Sequence, residues 1–201
     1  MQYYSLEEAL AQTSPVRQLI LSRQNLKRIP AVIWQKLPDL ESLDLSHNQI
    51  KQLPAGLEQL KQLQQLRLAN NRITQVQADL AQMPKLKHLD LSQNRLRKLP
   101  LFPYSLEILD LSDNKLKGFP VSSYPASSLL HLNLSNNKLG LIDPLTVAYP
   151  NLQFLNLDIS NFSVVFILYN THTTQTHHTH RHTQTHTDTH RHTQTHTHTD
   201  T

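Results

Sequence analysis

The sequence predicts an α/β solenoid: a curved parallel β-sheet of six or seven short strands, backed by short helices or irregular outer segments, with a disordered C-terminal tail. Three observations predict it. One frame, L-x-x-L-x-L-x-x-N-x-L-x-x-L-P, is written out in full over residues 86–100 as LKHLDLSQNRLRKLP. It returns at 40–54 as LESLDLSHNQIKQLP, at 63–76 as LQQLRLANNRITQV, at 106–120 as LEILDLSDNKLKGFP and at 129–142 as LLHLNLSNNKLGLI. The units open at Val16, Leu40, Leu63, Leu86, Leu106 and Leu129, and such a period means stacked units, not one closed core. From Asn170 onward the composition collapses to Thr and His with a few Gln, Arg and Asp, and ten of the 13 His lie there.

Residues 1–15 are read as a capping segment. Ser5 and Glu8 have capping-box spacing, and Leu6, Ala9 and Leu10 then fall on one helical face. A repeat stack has to cover its terminal apolar surface, and a short helix over about residues 5–12 does so. The repeat region runs over 16–162, as six full repeats and a partial seventh. The first repeat, VRQLILSRQNLKRIP, keeps the apolar frame at Val16, Leu19, Leu21, Leu26 and Ile29, but carries Gln24 where the others have Asn.

Within each unit, three residues such as Leu86, Leu89 and Leu91 point inward from a short strand and its approach. Successive strands pair in parallel about 4.8 Å apart. Each buried Leu contributes roughly 1.5–3 kcal/mol. The outer segments differ. Ile33 with Leu37, Leu57 with Leu60, and Leu80 with Met83 suit short helices or turns, and Trp34 reads as packing. The fourth repeat is short, and its outer part, Leu101-Phe102-Pro103-Tyr104, has to be extended around the proline. The fifth, Val121 to Ser128, holds Pro125 and reads as irregular. The seventh unit begins with Leu152, Leu155 and Leu157 and then loses the frame, with Ser160 at the Asn position.

Residues 163–201 are read as a low-complexity tail without the apolar content to fold. The segment THRHTQTHTD at 179–188 is nearly repeated at 189–198. Thr-His alternation is what an (AC)n dinucleotide repeat encodes, so the tail reads as a translated repeat reached after a frame slip. The chain would then be a truncated piece of a larger protein. A second alternative is metal binding by the tail's imidazoles, which can collect Zn, Ni or Cu when spaced by one residue.

Composition narrows the function classes. There is no Cys, the N-terminal stretch shows no basic and apolar leader pattern, and the longest apolar run, Val164 to Tyr169, is six residues. These features give the expectation of a cytoplasmic, monomeric protein. No phosphate loop, nucleophile elbow, zinc-binding helix motif or Cys nucleophile is present, so no catalytic residue, metal site or cofactor is expected. The net charge of +4 lies in the repeats, because Arg181 and Arg191 in the tail are balanced by Asp188 and Asp200.

The frame from Val16 to about Leu157 resembles the leucine-rich repeat family, in the plain form with L-P after the Asn turn found in intracellular and bacterial members. The resemblance implies a leucine-rich repeat solenoid whose Asn48, Asn71, Asn94, Asn114 and Asn137 are buried structural residues at the bend after each strand. An amide there can satisfy backbone groups of its own and the neighbouring repeat. The resemblance also implies a non-catalytic module that binds a partner protein on its concave face. The side chains expected there are Asp44, His47, Arg67, Asn70, His88, Asp90, Gln93, Asp110, Asp113, His131 and Asn133. Ile108 and Phe154 add apolar anchors, but no aromatic cluster of the kind that marks a binding hot spot is expected. Arg72, Arg95, Lys115 and Lys138 share the tenth frame position, and Lys27, Arg28, Lys51, Arg97, Lys98 and Lys117 follow two or three places on. Stacking aligns them on one edge, which reads as a solvated surface. The partner expected is a protein not yet identified, not nucleic acid or a membrane.

Overall fold

The computed structural model describes residues 2–99, 101–118, 128–139 and 151–157, together with the backbone of Val165–Ile167. Residues 121–127 of the irregular segment expected at 121–128, and the tail outside 165–167, lie beyond the described residues.

Each repeat supplies one three-residue strand. These are β2 (Gln18–Ile20), β3 (Ser42–Asp44), β5 (Gln65–Arg67), β7 (His88–Asp90), β8 (Ile108–Asp110), β9 (His131–Asn133) and β10 (Phe154–Asn156). All seven pair in parallel, and the register is the one the frame dictates. Leu19, Leu43, Leu66, Leu89, Leu109, Leu132 and Leu155 stand opposite one another across six successive pairings. The 20-residue fourth repeat holds this register as well as its longer neighbours, so the length difference is absorbed outside the strand. The inward positions pack one continuous core. Leu40, Leu43, Leu45, Leu63, Leu66, Leu68, Leu86 and Leu91 have no accessible surface, and Leu152, Leu155 and Leu157 of the seventh unit are also buried.

The outer segments follow their sequences. α2 (Val32–Lys36) and two 3₁₀ turns, Leu57–Gln59 and Leu80–Gln82, return the chain to the next strand. Residues 101–103 carry no helix, as Pro103 requires. Trp34 is buried in α2 and packs over Gly56, whose φ of 102° is left-handed. A Cβ at residue 56 would stand 2.7 Å from Trp34 Nε1, so both the backbone and the contact require glycine.

At the N-terminal end, α1 (Leu6–Leu10) is capped by Ser5, whose Oγ accepts from the Glu8 N–H at 3.1 Å. The structure adds what the sequence does not announce, the strand β1 (Gln2–Tyr3), parallel to β2 with Tyr3 opposite Leu19. Two further short strands, β4 (Gln52–Leu53) and β6 (Gln75–Val76), form a separate parallel pair on the outer side. At the other end, β11 (Val165–Ile167) runs antiparallel to β10. The sequence reading places these three residues in the tail; in the fold they are a sheet strand.

Candidate functional site

The open face of the sheet is built by the strand residues that alternate with the buried leucines. Two rows run along the stack. The row at the third frame position is Gln18, Ser42, Gln65, His88, Ile108, His131 and Phe154, and the row at the fifth is Ile20, Asp44, Arg67, Asp90, Asp110, Asn133 and Asn156. Arg67 and His131 are exposed, and Asp44, His88, Asp90, Asp110 and Asn133 are half-buried.

The frame rows are held by a ladder of asparagines. Asn48, Asn71, Asn94, Asn114 and Asn137 are all buried, at 6–8% exposure. Each amide reaches into two repeats. Asn94 Nδ2 donates to Leu68 O of the preceding repeat at 2.9 Å and to Leu91 O and Ser92 O of its own at 3.1 and 3.0 Å. Its Oδ1 accepts from Ile73 N at 2.9 Å. The other four repeat this pattern, each accepting from the N–H two places beyond the previous repeat's turn residue, at Leu26, Ile50, Leu96 and Leu116. In the first repeat Gln24 stands at this position but is exposed. Its Nε2 donates to Tyr4 O at 2.8 Å and so ties the first turn to the capping segment.

The acidic residues of the fifth row have a second duty. Asp44, Asp90 and Asp110 each accept through Oδ1 from the N–H and the hydroxyl of the Ser two places on, at 2.6–2.9 Å. Asn133 does the same for Ser135. One oxygen of each group therefore closes the turn after its strand. Asp110 Oδ2 accepts from Asn133 Nδ2 at 3.2 Å.

The eighth-position residues are placed differently from the rest. His47, Asn70, Gln93 and Asp113 follow the strands, and all four have φ between 52° and 55°. They are exposed, left-handed turn residues at the end of the open face. Asp113 accepts from Asn136 Nδ2 at 3.1 Å. Asn and Asp tolerate this conformation better than His or Gln, because their short side chains bond locally.

The third row divides in two. Over β2, β3 and β5 it is Gln, Ser and Gln. Over β8, β9 and β10 it is Ile108, at 38% exposure, then His131 and Phe154, whose ring centroids lie 6.0 Å apart. The sequence names these residues singly; strand register brings two of their rings together from consecutive repeats. Equal frame positions on consecutive repeats were the signal that could have found it.

Among the described residues no group of three His, Asp, Glu or Cys side chains is arranged to hold a metal ion, and the His-rich tail lies outside them. Nor, among them, is any helix long and apolar enough to cross a membrane.

Stacked parallel strands, an asparagine ladder and an open polar strip define a repeat solenoid with one exposed sheet face. The chain belongs to the leucine-rich repeat family: family profiles described as leucine-rich repeats match residues 14–73, 61–104, 105–125 and 128–148. Among solved structures, the leucine-rich repeat domain of APL1 is 30% identical, with a TM-score of 0.62 over 76% of this chain and 39% of that one. YopM from Yersinia enterocolitica is 31% identical, with a TM-score of 0.58 over 71% of this chain and 29% of its own. The plant peptide hormone receptor RGFR1, solved in complex with RGF2, is 26% identical, with a TM-score of 0.57 over 69% of this chain and 24% of its own. The chain thus spans well under half the length of each of these structures. No protein of curated function matches it.

Proposed function

We propose that this protein is a non-catalytic interaction module that binds a protein partner on the open sheet face. The observation that carries this reading is the separation of roles along each strand. The buried leucines and the asparagine ladder hold the fold; the third row and the fifth row, whose Asp and Asn also close turns, lie outside the core on a backbone fixed by parallel pairing. Rigid, pre-placed side chains lose little freedom on binding, and solenoids commonly use this surface. A peptide or protein ligand is supported by the RGFR1 neighbour, which was solved with RGF2.

Within the face, the half over β7–β10 has the features that give binding energy. Ile108, His131 and Phe154 offer apolar and aromatic contact, and Asp90, Asp110 and Asp113, from the repeats of β7 and β8, bring negative charge to the same half. Arg67, His47 and Asn70 extend the strip toward the N-terminal end. The partner side chains that fit are an apolar group flanked by Lys or Arg.

Selection of displayed random peptides on the full chain tests this. Ligands should carry an apolar residue next to a basic one, and should be lost on Phe154→Ser and weakened by Asp90→Asn. The Asn variant is the right probe, because Asn133 shows that an amide oxygen satisfies the same turn while the charge is gone. Selected ligands that bind the wild type and both variants equally would overturn the reading.

A further inference from the structure

The edge beyond the asparagine ladder carries a charge pattern that the open face does not use. Frame positions ten to thirteen read NLKR, QIKQ, RITQ, RLRK, KLKG and KLGL over the six repeats. These windows hold ten of the chain's 19 Lys and Arg and none of its 15 Asp and Glu. The rest of the chain therefore has nine cations against 15 acids, so a chain of modest net charge consists of a basic edge on an otherwise acidic body.

The stack fixes this edge in register. The position-ten N–H groups of Arg72, Arg95, Lys115 and Lys138 donate to Ile50 O, Ile73 O, Leu96 O and Leu116 O of the preceding repeat, at 2.8–2.9 Å. Their side chains are all exposed. Successive repeats are about 4.8 Å apart, so these four cations form a line of roughly 15 Å. Among the described residues no ion pair neutralises it. Among the described residues the two ion pairs are Arg17–Glu41 and Lys87–Glu107, both at the second frame position and away from this edge. The acid nearest in sequence, Asp113, bonds to Asn136.

We propose that this edge is a docking rail for an acidic, extended segment of a partner protein, running along the stack with its carboxylates against Arg72, Arg95, Lys115 and Lys138. An extended chain presents side chains on one face about every 6.7 Å, so three acidic residues span the line. Other polyanions fit less well. A single-stranded nucleic acid is held by bases stacked on aromatic rings, and positions ten to thirteen contain no aromatic residue in any repeat. A membrane surface is held by an apolar insertion beside the basic residues. Here the position-eleven residues beside these cations, Ile50, Ile73, Leu96 and Leu116, are buried at 0–1% exposure, Leu139 is buried at 7%, and Leu26 is half-buried against the core.

The test uses the full chain at low salt and about pH 8, where imidazoles are uncharged. A fluorescent oligo-glutamate peptide of about eight residues is titrated, with an oligo-glutamine peptide, a single-stranded oligonucleotide and phosphatidylserine vesicles as the other probes. The triple variant Arg72→Glu, Arg95→Glu, Lys115→Glu should weaken peptide binding at least about tenfold. The triple variant Lys36→Glu, Lys61→Glu, Lys85→Glu makes the same net charge change elsewhere, and should weaken it less than about twofold. Equal losses in the two variants would overturn the proposal by making net charge the cause. Tighter, edge-dependent binding of the oligonucleotide or the vesicles would overturn it in favour of nucleic acid or lipid. The result is independent of the open face, because none of the six substituted residues belongs to that strip's third or fifth row.

Discussion

Removing one rung of the asparagine ladder should cost far more than its single side chain suggests. In Asn94→Ala the Ile73 N–H loses its acceptor at 2.9 Å, and Leu68 O, Leu91 O and Ser92 O lose their shared donor. Residue 94 is 6% exposed, so water does not simply replace the amide. A buried unsatisfied N–H costs roughly 1–3 kcal/mol, and the three carbonyls add to it, so the expected loss is about 3 kcal/mol. For a domain of this size that corresponds to a Tm lowered by roughly 6–12 °C. Urea and thermal unfolding followed by circular dichroism measure it. Gln24→Ala is the internal reference. Gln24 is exposed and gives one bond to Tyr4 O, so its loss should be under about 1 kcal/mol. Equal destabilisation by the two variants would mean that burial and two-repeat bonding add nothing, and the ladder would lose its place as a stabilising element.

The same geometry bears on three other sites. Gly56→Ala should lower stability by about 1–3 kcal/mol and shift the fluorescence of Trp34, because the new Cβ meets Nε1 and the backbone is left-handed; an unchanged emission spectrum and Tm would contradict this. At Gln93, φ of 52°, replacement by Gly should stabilise slightly and replacement by Ile should cost about 1–2 kcal/mol in urea melts. Arg17→Ala and Lys87→Ala break ion pairs whose basic side chains are more than half exposed, so each should change stability by less than about 0.5 kcal/mol, and the small effect should vanish at high salt.

The frame made the interior legible. Leu86, Leu89, Leu91 and Asn94 are fixed by spacing alone, because only one strand register buries all of them and pairs each amide. Pro103 and Trp34 were readable for the same kind of local reason. The edges were not. β1 is two residues long, too short for any periodicity, and exists through its pairing with β2 and the burial of Tyr3. β11 follows the break in the frame, where the repeat rule offers no guidance. On the open face the sequence named the side chains but treated them alike. The structure separates them by physics: Asp44, Asp90 and Asp110 close turns, while His47, Asn70, Gln93 and Asp113 sit in left-handed turns beyond the strands. The His131–Phe154 pair depends on register across repeats, which no single repeat displays.

Histidine footprinting with diethyl pyrocarbonate, with and without a selected ligand, probes binding at the open face most directly. The repeat region holds three of the 13 His, and all three, His47, His88 and His131, lie on or beside the open face, while the other ten mark the tail. Ligand binding should slow modification of His88 and His131 and leave the tail histidines at their free rate. Unchanged labelling of His88 and His131 in a saturated complex, or protection confined to the tail, would place the partner elsewhere and rule the open face out.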